Sequence, residues 1–300
     1  MSNAMSQKMR ADFLLFMQHG WADHAQPIAG LGGQLAPQAV VVAPNLGWWR
    51  TWWRIEPLIA TVEREAIALQ SQHPDLPWRI VGHSMGGLIW LELLDRHRDW
   101  WPTVHSLVLI ASPVGGADLG RILDPLGWGV GIARDLGRNR RDLAAQIAAQ
   151  IPTLVIAGDI DGGSDGTVLV QTTRCDFAQF VTLPYSHPAL KNHPALIPLI
   201  QEFWVDPQVA PSPQLGLIGA IGDRLRQVPG ITDAHPRDAL KASLFKQFPD
   251  GTTVKTWQNL WGLRHVFVVD GAGVCHYGGF VGMADDRQLV RALVEIQGFC

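Results

Sequence analysis

Charge is scarce in this chain. Asp, Glu, Lys and Arg make up 17% of its 300 residues, against roughly a quarter in an ordinary soluble domain. The balance is close to neutral, a formal −3, with no basic stripe or arm to neutralise phosphates, which argues against a nucleic-acid partner. Cysteine is nearly absent. Cys175, Cys275 and Cys300 are odd in number, widely separated and without a C-x-x-C spacing. That excludes a disulfide framework and a zinc ribbon, and fits a reducing compartment. Long hydrophobic runs are missing too, and nothing approaches the roughly 18 consecutive apolar residues a spanning helix needs. The apolar run over residues 13–17 follows Lys8 and Arg10. It is short, is preceded by Asp12 and lacks a small-residue cleavage site, so no signal peptide is read. Residues 1–4 before a second methionine, Met5, read as the remnant of an expression tag. The chain reads as cytoplasmic. Tyrosine is rare, two residues against thirteen tryptophans.

What is present is a large apolar fraction, 47% of the sequence. Short apolar runs over 13–18, 39–43, 78–82, 106–111, 153–157 and 180–183 alternate with helical patterns over 54–70, 86–96, 141–150 and 194–204. Most of the runs are continuous rather than alternating, as for strands of a parallel sheet covered on both faces. The alternation predicts a doubly wound α/β sheet over residues 5–206, with ligands at the carboxyl ends of the strands. The Pro-rich stretch over 207–214 reads as a linker. A smaller α+β unit follows over 215–300. It has helical patterns over 215–228 and 236–248, a strand over 252–257, a hairpin turning at 271–273, and a final helix capped by Asp285 or Asp286. No chemistry is assigned to this unit. Cys275, His276 and His265 do not converge as metal ligands, because adjacent strand residues point to opposite faces.

The strongest local signal is Trp78-Arg79-Ile80-Val81-Gly82-His83-Ser84-Met85-Gly86-Gly87-Leu88. An apolar strand runs into Gly-x-Ser-x-Gly, and a helical pattern follows at once. Exposing a serine oxygen above a sheet takes a strained strand-to-helix turn, and Gly82 and Gly86 remove the side chains that would clash in it. The helix N-terminus behind Ser84 favours developing negative charge. An incidental serine in a glycine-rich turn is the plain alternative. The flanking strand and helix favour a nucleophile.

On these residues the sequence resembles the α/β-hydrolase fold family over about residues 13–204, and Gly-His-Ser-Met-Gly-Gly is a form of the elbow of its lipases and esterases. The resemblance implies Ser84 Oγ as nucleophile and the backbone N–H of Met85 as one oxyanion donor. It excludes an aspartate nucleophile at this position. The strand ending in His19-Gly20-Trp21 resembles the family's oxyanion loop, which implies the Trp21 N–H as second donor and His19 as a buried residue that shapes the loop. The triad acid follows in chain order. Of Asp159, Asp161 and Asp165, the resemblance favours Asp165, because the family often places its acid as Asp-x-x-Val after this strand, with Asp161 the alternative by its spacing after Gly158. The same run hints at calcium, but an EF-hand loop needs Gly and Glu where Ser164 and Val170 stand. The base comes last. His187 lies where the family keeps its histidine, and His193, before Pro194, is expected to cap the helix or meet solvent. An imidazole of pKa near 6.5 can take the serine proton and return it to the leaving group.

Two further segments stay open. Residues 120–150 have room for a cap over the site, with 126–132 apolar enough to belong to it. Trp48, Trp49, Trp52 and Trp53 either form a lipid-facing patch at the mouth of the site or pack Trp49, Trp52 and Trp53 inward. The resulting expectation is a serine hydrolase of small or lipid-like carboxylic esters, working through Ser84, His187 and Asp165. It implies no metal or organic cofactor, no nucleic acid and no transmembrane segment, and leaves open a transient lipid-surface contact. The competing expectation is a scaffold of the same fold that acts in protein binding through its C-terminal unit, with little or no hydrolysis.

Overall fold

The computed structural model describes residues 12–116, 131–211 and 216–299. Six strands, β1 (Leu14–Gln18), β2 (Val40–Val42), β3 (Trp78–His83), β4 (Val104–Ile110), β5 (Thr153–Gly158) and β6 (Gln179–Leu183), form one sheet in the order β2-β1-β3-β4-β5-β6. Every pairing in it is parallel. The six runs read from the sequence are these six strands, with ends shifted by a residue or two. The helices are α1 (Ala25–Leu35), α2 (Glu56–Gln72), α3 (Met85–Arg96), α4 (Ile132–Leu136), α5 (Arg141–Ala148), α6 (Val170–Thr173) and α7 (Leu196–Val205).

The strands are apolar on both faces because both are covered. Phe16, Ile80, Leu107, Leu109 and Val155 pack with α2 and α3 on one side. Leu15, Met17, Val81, Val108 and Ile156 pack with α1 and α7 on the other. Side chains alternate across a strand, so neighbouring residues of one strand feed two separate cores. Tryptophan supplies bulk in the first: Phe16 lies 4.9 Å from the rings of both Trp78 and Trp90.

Helix α1 has no counterpart in the sequence reading. Its three glycines weaken helix propensity. The fold needs one of them, because a Cβ on Gly32 would stand 2.8 Å from both Met17 and Val41 of the sheet beneath. Packing overrides propensity here. In the tryptophan segment, Trp48–Trp52 is a single 3-10 turn that buries Thr51. Trp52, partly exposed, rests against Trp21, but Trp49 and Trp53 are 76% and 74% exposed, so the inward packing of these two is corrected. A five-residue turn has no continuous inner face to offer them. Residues 117–130, which hold the first third of the expected cap and most of its apolar stretch 126–132, lie outside the described residues.

After residue 215 the chain builds α8 (Leu217–Arg226), β7 (Thr232–Asp233), β8 (Ser243–Gln247), β9 (Thr253–Gln258), β10 (Arg264–Val269), β11 (Cys275–Val281) and α9 (Asp286–Ile296). The strands form an antiparallel sheet in the order β7-β11-β10-β9-β8, with α8 and α9 on one face around Val254, Val266, Val268 and Tyr277. The expected helix over 236–248 is a correction. Only Pro236–Lys241 winds, as a 3-10 turn, and the rest pairs with β9 as an edge strand. Phe245 packs on the core while Leu244 is exposed, an alternation of period two that sheet pairing selects over the local helical pattern. The hairpin turn lies where expected, held by Asp270 Oδ1, which accepts from the N–H groups of Ala272 and Val274 at 2.9 and 2.8 Å.

Candidate active site

Ser84 stands between β3 and α3 with φ 54° and ψ −126°, a positive φ that an L-residue adopts only where its surroundings force it. The surroundings are visible. A Cβ on Gly82 would lie 2.5 Å from Gly87 Cα, and one on Gly86 would lie 2.2 Å from the carbonyl oxygen of Gln18 in β1. The turn therefore closes only with glycine at both positions. The Ser84 N–H donates to Ile110 O at 2.8 Å, which ties the turn to β4.

Two loops from the far end of the sheet meet this serine. His187 Nε2 is 3.1 Å from Ser84 Oγ, and its Nδ1 is 2.7 Å from Asp165 Oδ2. Asp165 is 1% exposed. Its other oxygen, Oδ1, accepts from the N–H groups of Thr167 and Val168 at 2.9 and 2.7 Å. A carboxylate held this way fixes the imidazole with Nδ1–H donating to it and leaves the Nε2 lone pair to accept from the serine O–H. That arrangement can draw the proton off the hydroxyl as its oxygen attacks.

Asp161 goes elsewhere. It accepts from the Ser164 N–H and hydroxyl at 2.8 and 2.9 Å and from His235 Nε2 at 3.1 Å. Burial pushes its carboxyl up, but the bonds from His235 and Ser164 outweigh this and hold it below its usual range.

The loop after β1 closes on the elbow from the other side. A Cβ on Gly20 would be 2.8 Å from Ser84 Cβ and 3.3 Å from the Met85 nitrogen. Met85 is the first residue of α3, so its N–H has no acceptor within the helix. On either side of Trp21 the loop is tied down. His19 donates from Nδ1 to Gly20 O at 3.0 Å and accepts from the Leu46 N–H at 3.1 Å, while the Ala22 N–H donates to Thr51 Oγ1 at 3.1 Å. Burial lowers the pKa of His19, so its ring is held neutral in that tautomer. Through Thr51 the loop is joined to the tryptophan segment, and Trp21 packs against Trp52 with ring centroids 4.3 Å apart.

His83 escaped the sequence reading, although it sits inside the Gly-x-Ser-x-Gly motif. Its Nε2 donates to the carbonyl of His187 at 3.2 Å and its ring lies 4.9 Å from the His187 ring. Burial, with the neighbouring His187, drives its pKa well below 6.5. His193 caps α7's approach, accepting from the Ala195 N–H at 3.2 Å while stacked on Tyr185.

No family model and no curated protein matches the sequence. Solved structures do. The lipase BlEst2 of Bacillus licheniformis in its propeptide form aligns over 90% of this chain and 71% of its own, with 11% identity and a TM-score of 0.53. Its mature form covers 65% of this chain and 92% of its own, at 15% identity and 0.49. A thioesterase of Streptomyces coelicolor, RedJ, covers 65% and 90%, at 20% identity and 0.43. The chain has the α/β-hydrolase fold. The elbow after β3, the loop after β1 and the loops after β5 and β6 all lie at the carboxyl edge of the sheet, where an α/β-hydrolase fold gathers its ligand-facing loops. The alignment over 90% of the chain also reaches into the antiparallel sheet. No helix among the described residues is long and apolar enough to cross a membrane.

Proposed function

We propose that the chain is a serine hydrolase of carboxylic esters. The observation that carries this reading is the continuous path Ser84 Oγ, His187 Nε2, His187 Nδ1, Asp165 Oδ2, with steps of 3.1 and 2.7 Å. In this scheme Ser84 Oγ attacks the ester carbonyl and its proton passes to His187 Nε2. The carbonyl oxygen becomes an oxyanion beside the N–H groups of Met85 and Trp21, donors that act where charge develops. Collapse breaks the bond to the alcohol, which leaves with the proton from His187, and the acyl group stays on Ser84. A water then repeats the sequence, giving its proton to His187 and its oxygen to the acyl carbon, which frees the acid and restores the serine. The Asp165 carboxylate stabilises the transient imidazolium.

The exposed tryptophans favour a lipid-like ester. Trp49 and Trp53 stand in solvent on a turn bonded through Thr51 to the Trp21 loop, and large aromatic faces beside a reaction site suit an apolar acyl chain or a lipid surface. A panel of p-nitrophenyl esters of rising chain length tests the reading. Hydrolysis that disappears in Ser84→Ala is expected. A panel hydrolysed no faster by the wild type than by Ser84→Ala would sink it.

A further inference from the structure

The antiparallel sheet grips the loop that carries Asp165 at two points. Before Asp165 lie Asp161 and Gly163. His235 accepts the Arg237 N–H on Nδ1 at 3.2 Å, which leaves Nε2–H to donate to Asp161 Oδ1 at 3.1 Å. Gly163 is buried beneath the same residues, and a Cβ there would stand 2.7 Å from Pro236 and 3.0 Å from the His235 ring. After Asp165 lies α6. The Gln171 side chain pairs with both backbone groups of Gly278 in β11, its amide donating to the carbonyl and its oxygen accepting the N–H. Asp233 of β7, which is buried, accepts from Thr172 Oγ1 at 2.8 Å and from the Arg141 guanidinium, which also donates to Gln171 O at 3.1 Å.

Between these anchors the loop is bonded largely to itself. Asp159 Oδ1 accepts from Gly162 and Gly163, both at 2.8 Å, and Ser164 Oγ accepts from the Gly166 N–H at 3.1 Å. Asp165 follows Ser164 directly. Its carbonyl also accepts the His187 N–H at 3.0 Å, so a shift of the loop moves carboxylate and imidazole together. A loop pinned at both ends by another sheet cannot make that shift.

Resting on the catalytic reading above, we propose that the C-terminal sheet sets the position of the Asp165 loop, with His235 and Gln171 as positioning residues for the reaction. The hydrolase sheet then carries all the reacting groups while the second sheet fixes one of them. This also accounts for the buried charge pair between Arg141 and Asp233. A buried ion pair adds little net stability, but separating its partners leaves an uncompensated charge, so this pair disfavours any docking that would part Arg141 from Asp233.

The test uses the full-length chain with a short-chain p-nitrophenyl ester, comparing His235→Leu, His235→Gln and Gln171→Leu. The Gln side chain retains a donor near the Nε2 position. For His235→Leu and Gln171→Leu, kcat is expected to fall roughly 10- to 100-fold, as sub-ångström to ångström misplacement of reacting groups does, with KM within about twofold. His235→Gln should restore kcat to within about threefold of wild type, which a merely structural contact would not require. Melting curves identify any variant that fails to fold, and the other variant then carries the test. Wild-type kcat in both Leu variants, with Ser84→Ala inactive, overturns the proposal and leaves the catalytic reading standing. A rise in kcat overturns it as well and makes the sheet a cover. Absence of Ser84-dependent hydrolysis in the wild type overturns both.

Discussion

His187 meets Asp165 twice. Its ring Nδ1 lies 2.7 Å from the Asp165 carboxylate and its backbone N–H donates to the Asp165 carbonyl at 3.0 Å. The second bond couples the two loops independently of side-chain charge, so replacing the carboxylate should leave the histidine loop where it is. Asp165→Asn is therefore expected to fold normally and to lose on the order of 10⁴ in kcat, because an amide supports the wrong imidazole tautomer. Asp161→Asn should lose far less, no more than His235→Leu. Steady-state kinetics on the two variants decides, and the reverse ranking would move the acid to Asp161.

The glycines of the elbow make a prediction about stability. In Gly86→Ala the new methyl would sit 2.2 Å from the Gln18 carbonyl oxygen, a backbone atom of the central sheet that cannot swing away. The variant should lose about 1–3 kcal/mol or more, as overpacked cores do. Urea denaturation measures this, and a midpoint equal to wild type would show that β1 and α3 are less tightly set than described.

Acid should weaken the fold through its buried histidines. Burial, with His187 close by, lowers the His83 pKa well below the ordinary 6.5, and burial lowers that of His19. Below 6.5 the unfolded chain takes up protons that the folded chain refuses, so stability declines as pH falls from that point toward the folded-state values. The melting temperature should drop between pH 7 and pH 5, and drop less in His83→Asn. An equal drop in wild type and variant would show that His83 is not the group responsible.

The exposed tryptophans separate surface-bound from dissolved substrate. Trp49→Ser combined with Trp53→Ser should leave hydrolysis of a soluble short-chain ester unchanged. On esters presented in phosphatidylcholine vesicles, the rate should fall roughly tenfold or more, given about 25 cal/mol for each Å² of lost apolar contact. Equal loss on both substrates would make these residues structural.

The sequence exposed the chemistry more readily than its support. The strands of the parallel sheet were legible because burial on both faces leaves continuous apolar runs. The elbow was legible because only glycine closes it. Helix α1 was hidden because its three glycines weaken helix propensity, although one of them, Gly32, is required by its contacts with Met17 and Val41. The strand Ser243–Gln247 was hidden because its pattern over five residues fits either period, and pairing with β9 decides it. Asp233 and His235 lie 46 and 48 residues beyond His187 in the chain, and nothing in Thr-Asp-Ala-His-Pro announces that they will reach back to the Asp165 loop. Contacts of that kind depend on how two sheets dock, which local pattern does not encode.

The central claim is that Ser84 is activated as a nucleophile by His187. Labelling of the full-length protein with a fluorophosphonate, followed by mass spectrometry of its peptides, tests this most directly. One adduct is expected, on Ser84, forming rapidly in the wild type, slowly in His187→Ala and not at all in Ser84→Ala. An adduct on another residue, or labelling of Ser84 at the same rate with and without His187, would contradict it.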